Sequence, residues 1–231
     1  MAFDFALEAC SVMHQKIEST IDVGDAELKG WLEIPAHSSA IVAFAHGSGS
    51  SRFSRRNNAV AEHLRNAGLG TLLFDLLTAD EDQIDNVTRE YRFNIPLLSE
   101  RLAGATRWLA AQSDVDGLPI GLFGSSTGAA AALIVAALLQ QEIGAVVSRG
   151  GRADLAGDNL CKVQAPTLLI VGGADTEVLR LNEMARDQMT CVAEIAVVDR
   201  ATHLFEEPGA LEQVQRLASA WFLQSLSAEA N

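Results

Sequence analysis

A serine between two glycines is the residue best placed for covalent chemistry in this sequence of 231 residues. Gly124, Ser126 and Gly128 satisfy the pattern G-x-S-x-G between a predicted strand at residues 119–124 and a predicted helix at 127–140. Such a tight turn strains its central residue, and the glycines leave room for the crossing chain. The pattern predicts an exposed nucleophilic serine at a helix N-terminus, where a developing negative charge is favoured. A serine-rich helix cap is the structural alternative.

A serine hydroxyl is a poor nucleophile alone, so a histidine base and an orienting carboxylate are needed downstream. His203 lies just after the last predicted strand, and Asp175 follows the glycine-rich end of an earlier one. Ser126, Asp175 and His203 occur in the chain order of the α/β-hydrolase triad. Asp154 and Asp199 are rival acids, but Asp154 follows a different strand and Asp199 lies on the same connection as His203. Asp175 is therefore the preferred acid.

Acyl transfer also needs backbone donors for the oxyanion. The turn supplies the N–H of Thr127, and the glycine-rich loop after the third strand is expected to supply that of Ser48. A dinucleotide-binding role for Gly47 and Gly49 is weakly supported, because Arg52 stands where the third glycine of G-x-G-x-x-G belongs.

Two arginines, Arg149 and Arg152, follow the predicted strand at residues 145–148. Ligands of open α/β folds bind at the carboxyl edge of the sheet, so either guanidinium could hold a substrate carboxylate. The alternative is pairing with local acids such as Asp154, which would only hold the loop together.

Strand-like runs alternate with helical patterns along the chain, which predicts a mostly parallel sheet of about eight strands flanked by helices. The first two runs, residues 17–23 and 26–34, are separated by a turn signal and should pair antiparallel. The polar, acidic segment 78–94 is interpreted as a solvated loop rather than a carboxylate cluster. Further helices are expected at residues 57–66, 95–112, 177–188 and 209–226.

Composition bounds the partners and the compartment. Seventeen basic against 30 acidic residues give a net charge of −13, which disfavours nucleic acid and anionic membranes as partners and favours a small molecule. Three scattered cysteines, together with the lack of a recognisable export signal or membrane span, predict a cytoplasmic protein. The length fits one domain over 1–231, with residues 1–16 as an N-terminal extension. The oligomeric state is left open.

These motifs resemble the α/β-hydrolase superfamily, and more closely its dienelactone-hydrolase-like branch. The resemblance covers most of the chain and is carried by residues 46–52 (HGSGSSR), 72–78 (LLFDLLT), 121–128 (GLFGSSTG), 147–152 (VSRGGR) and 201–208 (ATHLFEEP). It implies an α/β-hydrolase fold without a separate cap domain. One position departs from the family pattern: dienelactone hydrolase has a cysteine as the nucleophile in the turn between strand and helix, where this chain has Ser126.

Together these features predict a serine hydrolase of small carboxylic esters that needs no metal or cofactor. Ser126 would be the nucleophile, His203 the base and Asp175 the residue that orients it. An acyltransferase or thioesterase with the same triad is one alternative. A non-catalytic regulatory module is another, because some relatives with these motifs are fused to a phosphoribosyltransferase.

Overall fold

Strands and helices alternate along most of the chain in the computed structural model, which describes residues 17–227. The strands are β1 (Ile17–Asp22), β2 (Glu27–Glu33), β3 (Ile41–Ala45), β4 (Gly70–Phe74), β5 (Ile120–Ser125), β6 (Ile143–Arg149), β7 (Thr167–Gly172) and β8 (Ala193–Val198). The helices are α1 (Arg55–Asn66), α2 (Ala79–Thr88), α3 (Ile95–Ala110), α4 (Thr127–Leu138), α5 (Thr176–Arg186) and α6 (Ala210–Ser225), with 3-10 turns at Ser113–Val115 and Ala153–Lys162. The expected N-terminal extension, residues 1–16, lies outside the described residues.

All eight strands form one open sheet in the order β1-β2-β4-β3-β5-β6-β7-β8. β1 pairs antiparallel with β2, and β2 pairs antiparallel with β4. The remaining pairs, from β4-β3 through β3-β5 to β7-β8, are all parallel. The predicted eight-stranded, mostly parallel sheet is confirmed, and the fold is that of an α/β-hydrolase. Because parallel strands end at the same edge, the segments after β3, β5, β6, β7 and β8 converge there.

The central strands β3 to β7 are buried on both faces of the sheet, and β3 shows why such strands are almost entirely apolar. Ile41, Ala43 and Ala45 join the core on one face, whereas Val42 and Phe44 join the core on the other. Helices α3 and α4 cover the first face, and α1 and α6 cover the second. Alternate side chains of a strand point to opposite faces, so a strand between two helical layers needs apolar residues throughout.

The expectation of a solvated loop over residues 78–94 is wrong, because α2 forms there. Thr78 caps the helix: its hydroxyl accepts from the Glu81 N–H at 3.2 Å, and its own N–H donates to the Glu81 carboxylate at 2.8 Å. This reciprocal pair is a capping box. Asp80, Glu81 and Asp82 occupy the first turn, where acidic groups interact favourably with the helix dipole. The overlooked signal was therefore Thr-x-x-Glu, not the high charge.

Cys161 and Cys191 are both free thiols, and Cys10 lies outside the described residues. Within the part of the chain that the structure describes, no helix combines the length and apolar character needed to span a bilayer.

Candidate active site

Ser126 lies at the junction of β5 and α4 with φ of 49° and ψ of −120°, a left-handed conformation that non-glycine residues rarely adopt. The neighbouring glycines are sterically required. A Cβ on Gly124 would lie 2.4 Å from Cα of Ala129, and one on Gly128 would lie 2.3 Å from the carbonyl oxygen of Ala45. Both contacts are with backbone, which cannot move aside without breaking the turn.

Backbone hydrogen bonds hold the strained turn in place. The Ser126 N–H donates to the Arg149 carbonyl at 3.3 Å, and the Ser126 carbonyl accepts from the Arg152 N–H at 3.0 Å. The Ser126 hydroxyl does not cap α4, and the neighbouring Ser125 hydroxyl donates to Oδ1 of Asn57 at 3.0 Å. The serine-rich cap considered from the sequence is therefore not what the turn forms. Thr127 opens α4, where a helix leaves its first N–H groups without intrahelical partners.

His203 contacts Asp175 across two neighbouring strand ends. Nδ1 of His203 lies 2.7 Å from Oδ2 of Asp175, which follows β7 and precedes α5 without capping it. The rival acids are engaged elsewhere: Asp154 binds Arg152, and the exposed Asp199 binds its neighbour Arg200. The structure thus brings Asp175, and neither alternative, to the histidine.

Ser126 and His203 line one cavity of about 240 Å³ at the carboxyl edge of the sheet. Gly47 and Ser48 line it from the loop after β3, and Arg56 and Arg149 line it from α1 and β6. None of the described residues that line this cavity is acidic: they are Gly47, Ser48, Ser50, Ser54, Arg56, Asn57, Ser125, Ser126, Arg149, His203 and Leu204. Among these residues the permanently charged ones are two arginines, although the protein has a net charge of −13.

The two predicted substrate-binding arginines have different surroundings. Arg152 makes a paired contact with Asp154, Nε to Oδ1 at 2.8 Å and Nη2 to Oδ2 at 2.7 Å, and does not line the cavity. Arg149 lines it and is only 9% exposed, and its Nε and Nη1 are buried and make no hydrogen bond within residues 17–227. Burial, with a smaller contribution from the nearby charge of Arg56, lowers the pKa of Arg149 to about 10. Arg149 stays a cation at neutral pH, and Arg152 adopts the local pairing that the sequence had left open.

A glycine-rich loop faces the serine from the end of β3. A Cβ on Gly47 would lie 3.0 Å from Cβ of Ser126, and the Ser50 N–H donates to the Gly47 carbonyl at 3.2 Å to close the turn. His46 fixes the start of the loop: its Nε2 accepts from the Leu76 N–H, and its Nδ1 contacts the Gly47 carbonyl, both at 3.0 Å. These partners require a neutral ring with the proton on Nδ1. His46 is the first residue of the motif at 46–52, but no pattern in the sequence indicates this supporting role.

Burial lowers the pKa of His46 below its ordinary value, and the Gly47 carbonyl, Asp75 and Asp82 offset this only in part. The unfolded chain takes up a proton near pH ~6.5, whereas the folded protein resists it. The contribution of His46 to the free energy of unfolding is therefore complete above that pH and declines as the pH falls. We expect the free energy of unfolding to decrease between about pH 6.5 and 5, and His46→Gln to reduce this dependence. Urea denaturation across that range measures both slopes, and equal slopes would contradict the assignment.

Comparison with known proteins gives the family. A scan against models of protein families finds no match for this chain. Dienelactone hydrolase from Anabaena variabilis is 53% identical, with a TM-score of 0.91 over 92% of this chain and 99% of that one. Est1E from Butyrivibrio proteoclasticus, 16% identical, has a TM-score of 0.75 over 90% of this chain and 98% of that one, and shows the fold alone.

Two proteins from different strains of Mycobacterium tuberculosis carry the provisional name phosphoribosyl transferase and are 53% identical over 209 residues. The match covers 90% of this chain but only 46% of each relative, so the chain spans about half of their length. The high identity and nearly complete mutual coverage with the Anabaena structure decide the family. The chain belongs to the dienelactone-hydrolase-like family of α/β-hydrolases.

Proposed function

We propose that this protein hydrolyses small carboxylic esters through Ser126, His203 and Asp175. The observation that carries the proposal is the strained Ser126 in one cavity with His203, whose Nδ1 lies 2.7 Å from Asp175. With Nδ1–H donated to the carboxylate, Nε2 keeps its lone pair and can accept a proton. The name of the Anabaena relative, dienelactone hydrolase, supports hydrolase chemistry.

In the proposed reaction, Nε2 of His203 takes the Ser126 hydroxyl proton as Oγ attacks the ester carbonyl. The carbonyl π electrons move onto oxygen, and the N–H groups of Thr127 and Ser48 stabilise this oxyanion. Collapse expels the alcohol, which receives the proton from His203, and leaves an acyl ester on Ser126. Water then repeats the sequence, releases the carboxylic acid and regenerates the serine.

Two other functions share part of this evidence. Transfer of the acyl group to an alcohol or thiol would use the same acyl-enzyme, and analysis of products with and without added acceptors separates it from hydrolysis. The transferase name of the mycobacterial relatives belongs to proteins about twice as long, and the matched part carries the hydrolase features. We therefore assign ester hydrolysis to this chain, in a cytoplasmic setting as its cysteines predict.

The direct test uses the wild-type protein with p-nitrophenyl esters of increasing chain length and a fluorophosphonate probe located by mass spectrometry. We expect turnover of the short esters and one labelled residue, Ser126. A protein that neither hydrolyses any ester nor becomes labelled would be a non-catalytic module, which would refute the proposal.

Arg149 supplies the second part of the proposed function, the binding of an acidic group on the substrate. It is a nearly buried cation that lines the cavity of Ser126, and two of its N–H-bearing atoms have no hydrogen-bond partner among the described residues. Burying a charge without a partner is costly, so a site of this kind favours an anionic ligand. Arg56, whose Nη1 is bound by Glu206 at 2.8 Å, adds positive potential to the same cavity. We expect esters that carry a carboxylate to be preferred over neutral ones.

Arg149→Met is expected to reduce kcat/KM for p-nitrophenyl hydrogen succinate by about 10- to 100-fold. This factor corresponds to the loss of one or two charged hydrogen bonds to the substrate. Hydrolysis of p-nitrophenyl butyrate, which has a similar size and no charge, should change little. Arg152→Met is the matched control, because Arg152 binds Asp154 and lies outside the cavity. Equal losses on the two substrates, or the same selectivity in both variants, would reject an anion-binding role for Arg149.

A further inference from the structure

The turn between α2 and α3 is organised around one buried carboxylate, Asp85, which is 1% exposed. Its Oδ1 accepts from the backbone N–H groups of Tyr91 and Arg92, both at 2.9 Å, and its Oδ2 accepts from Nε of Arg92 at 2.6 Å. Nη2 of Arg92 donates to the Asp85 carbonyl at 2.9 Å. The guanidinium is therefore fixed on two sides by a single residue of α2.

Asp85 keeps its charge in this environment. Burial alone would raise its pKa, but the hydrogen bonds from Arg92 and Tyr91 outweigh it, so the pKa lies below its ordinary value. An ionised carboxylate that accepts three N–H groups is a strong anchor. The arrangement fixes where the remaining corner of the Arg92 guanidinium, Nη1, must lie.

Nη1 of Arg92 lies against the glycine-rich loop after β3. A Cβ on Gly49 would be 3.0 Å from Nη1 and 3.5 Å from Cζ, and Gly49 has φ of +67°. Arg92 and Asp85 line a small cavity together with His46, Gly47, Ser48 and Gly49. The guanidinium thus lies beside the loop that carries the Ser48 N–H and occupies the space into which a side chain at Gly49 would extend.

The other side of the same loop faces the nucleophile, since the Cβ position of Gly47 is 3.0 Å from Cβ of Ser126. His46 holds only the start of the loop, through Leu76. Arg92 lies beside its far end, where its Nη1 leaves no room for a side chain at Gly49. The loop therefore lies between the turn that joins α2 to α3 and the strained turn at Ser126.

We propose that Arg92, held by Asp85, is a positioning residue that sets the distance between the Ser48 N–H and the reacting carbonyl oxygen. This inference rests on the proposed function. A shift of about 1 Å in a donor that binds the oxyanion can cost up to ~100-fold in rate. Because this donor acts mainly on the charge that develops in the transition state, the loss should fall on kcat rather than on KM.

The test compares Arg92→Ala with Arg101→Ala. Arg101 is a matched control because it is another arginine bound to α2, more deeply buried than Arg92, with Nη2 2.9 Å from Glu81 and Nη1 2.7 Å from Asp25. We expect Arg92→Ala to lower kcat for p-nitrophenyl butyrate by about 10- to 100-fold with KM nearly unchanged. It should also lower the affinity for a trifluoromethyl ketone inhibitor, whose adduct with the serine carries the oxyanion, by a similar factor. Arg101→Ala should lower the melting temperature without either change.

Asp85→Asn keeps the size of the side chain and removes its charge, so it tests the same inference if Arg92→Ala folds poorly. It should lower kcat and inhibitor affinity in the same direction. Kinetics in both variants that match those of Arg101→Ala would show that the α2 turn is merely structural and would overturn the inference. Absence of hydrolysis and Ser126 labelling in the wild type would instead refute the proposed function.

Discussion

Ser126→Ala is expected to abolish ester hydrolysis, lowering kcat by on the order of 10⁶-fold, as removal of the nucleophile does in serine hydrolases. Alanine keeps the Cβ but removes the Ser126 hydroxyl, and the neighbouring Ser125, which lines the same cavity, has its hydroxyl bound to Asn57. The residual rate would come from the N–H groups of Thr127 and Ser48 and from substrate binding. The measurement is kcat on p-nitrophenyl butyrate together with fluorophosphonate labelling.

Ser125→Ala is the control for this experiment. Ser125 is adjacent in sequence, but its hydroxyl is buried and donates to Asn57. This variant should still be labelled at Ser126, even where loss of the Asn57 contact lowers stability. Persistent labelling or turnover in Ser126→Ala would place the nucleophile elsewhere and invalidate the proposed mechanism.

Asp175→Asn is expected to lower kcat by about 10⁴-fold while leaving the fold intact. An asparagine can donate from its amide to Nδ1 of His203, which would hold the ring in the tautomer that carries the proton on Nε2. That nitrogen could then no longer accept the Ser126 proton. The loss should appear in kcat for neutral and anionic esters alike, because Asp175 does not line the substrate cavity.

Asp199→Asn and Asp154→Asn are the matched controls for the acid. Asp199 is exposed beside Arg200, and Asp154 binds Arg152, so neither substitution should approach the effect at Asp175. A damaging Asp199→Asn or Asp154→Asn beside a harmless Asp175→Asn would show that the contact with His203 is not the catalytic one.

Local features of the site were predictable because they depend on neighbours in the chain. Gly124 and Gly128 are needed within two residues of Ser126, since a Cβ at either would strike backbone. The error at residues 78–94 was also local: Thr78 and Glu81 form a capping box, and the density of charge concealed it. A correct prediction of α2 would still not have predicted the burial of Asp85. Arg92 and the turn around it cover this carboxylate.

The sequence by itself determined the alternation of strands and helices, the strained turn at Ser126 and the chain order of the three catalytic candidates. Tertiary structure decided which acid reaches His203, which arginine lines the cavity and what supports the loop at Ser48. The physical reason is the sheet: Ser125 pairs with Arg149 across β5 and β6, and Asp175 meets a histidine 28 positions away. Periodicity and propensity act over a few residues, whereas distances between strand ends depend on strand order and on the side chains packed between them.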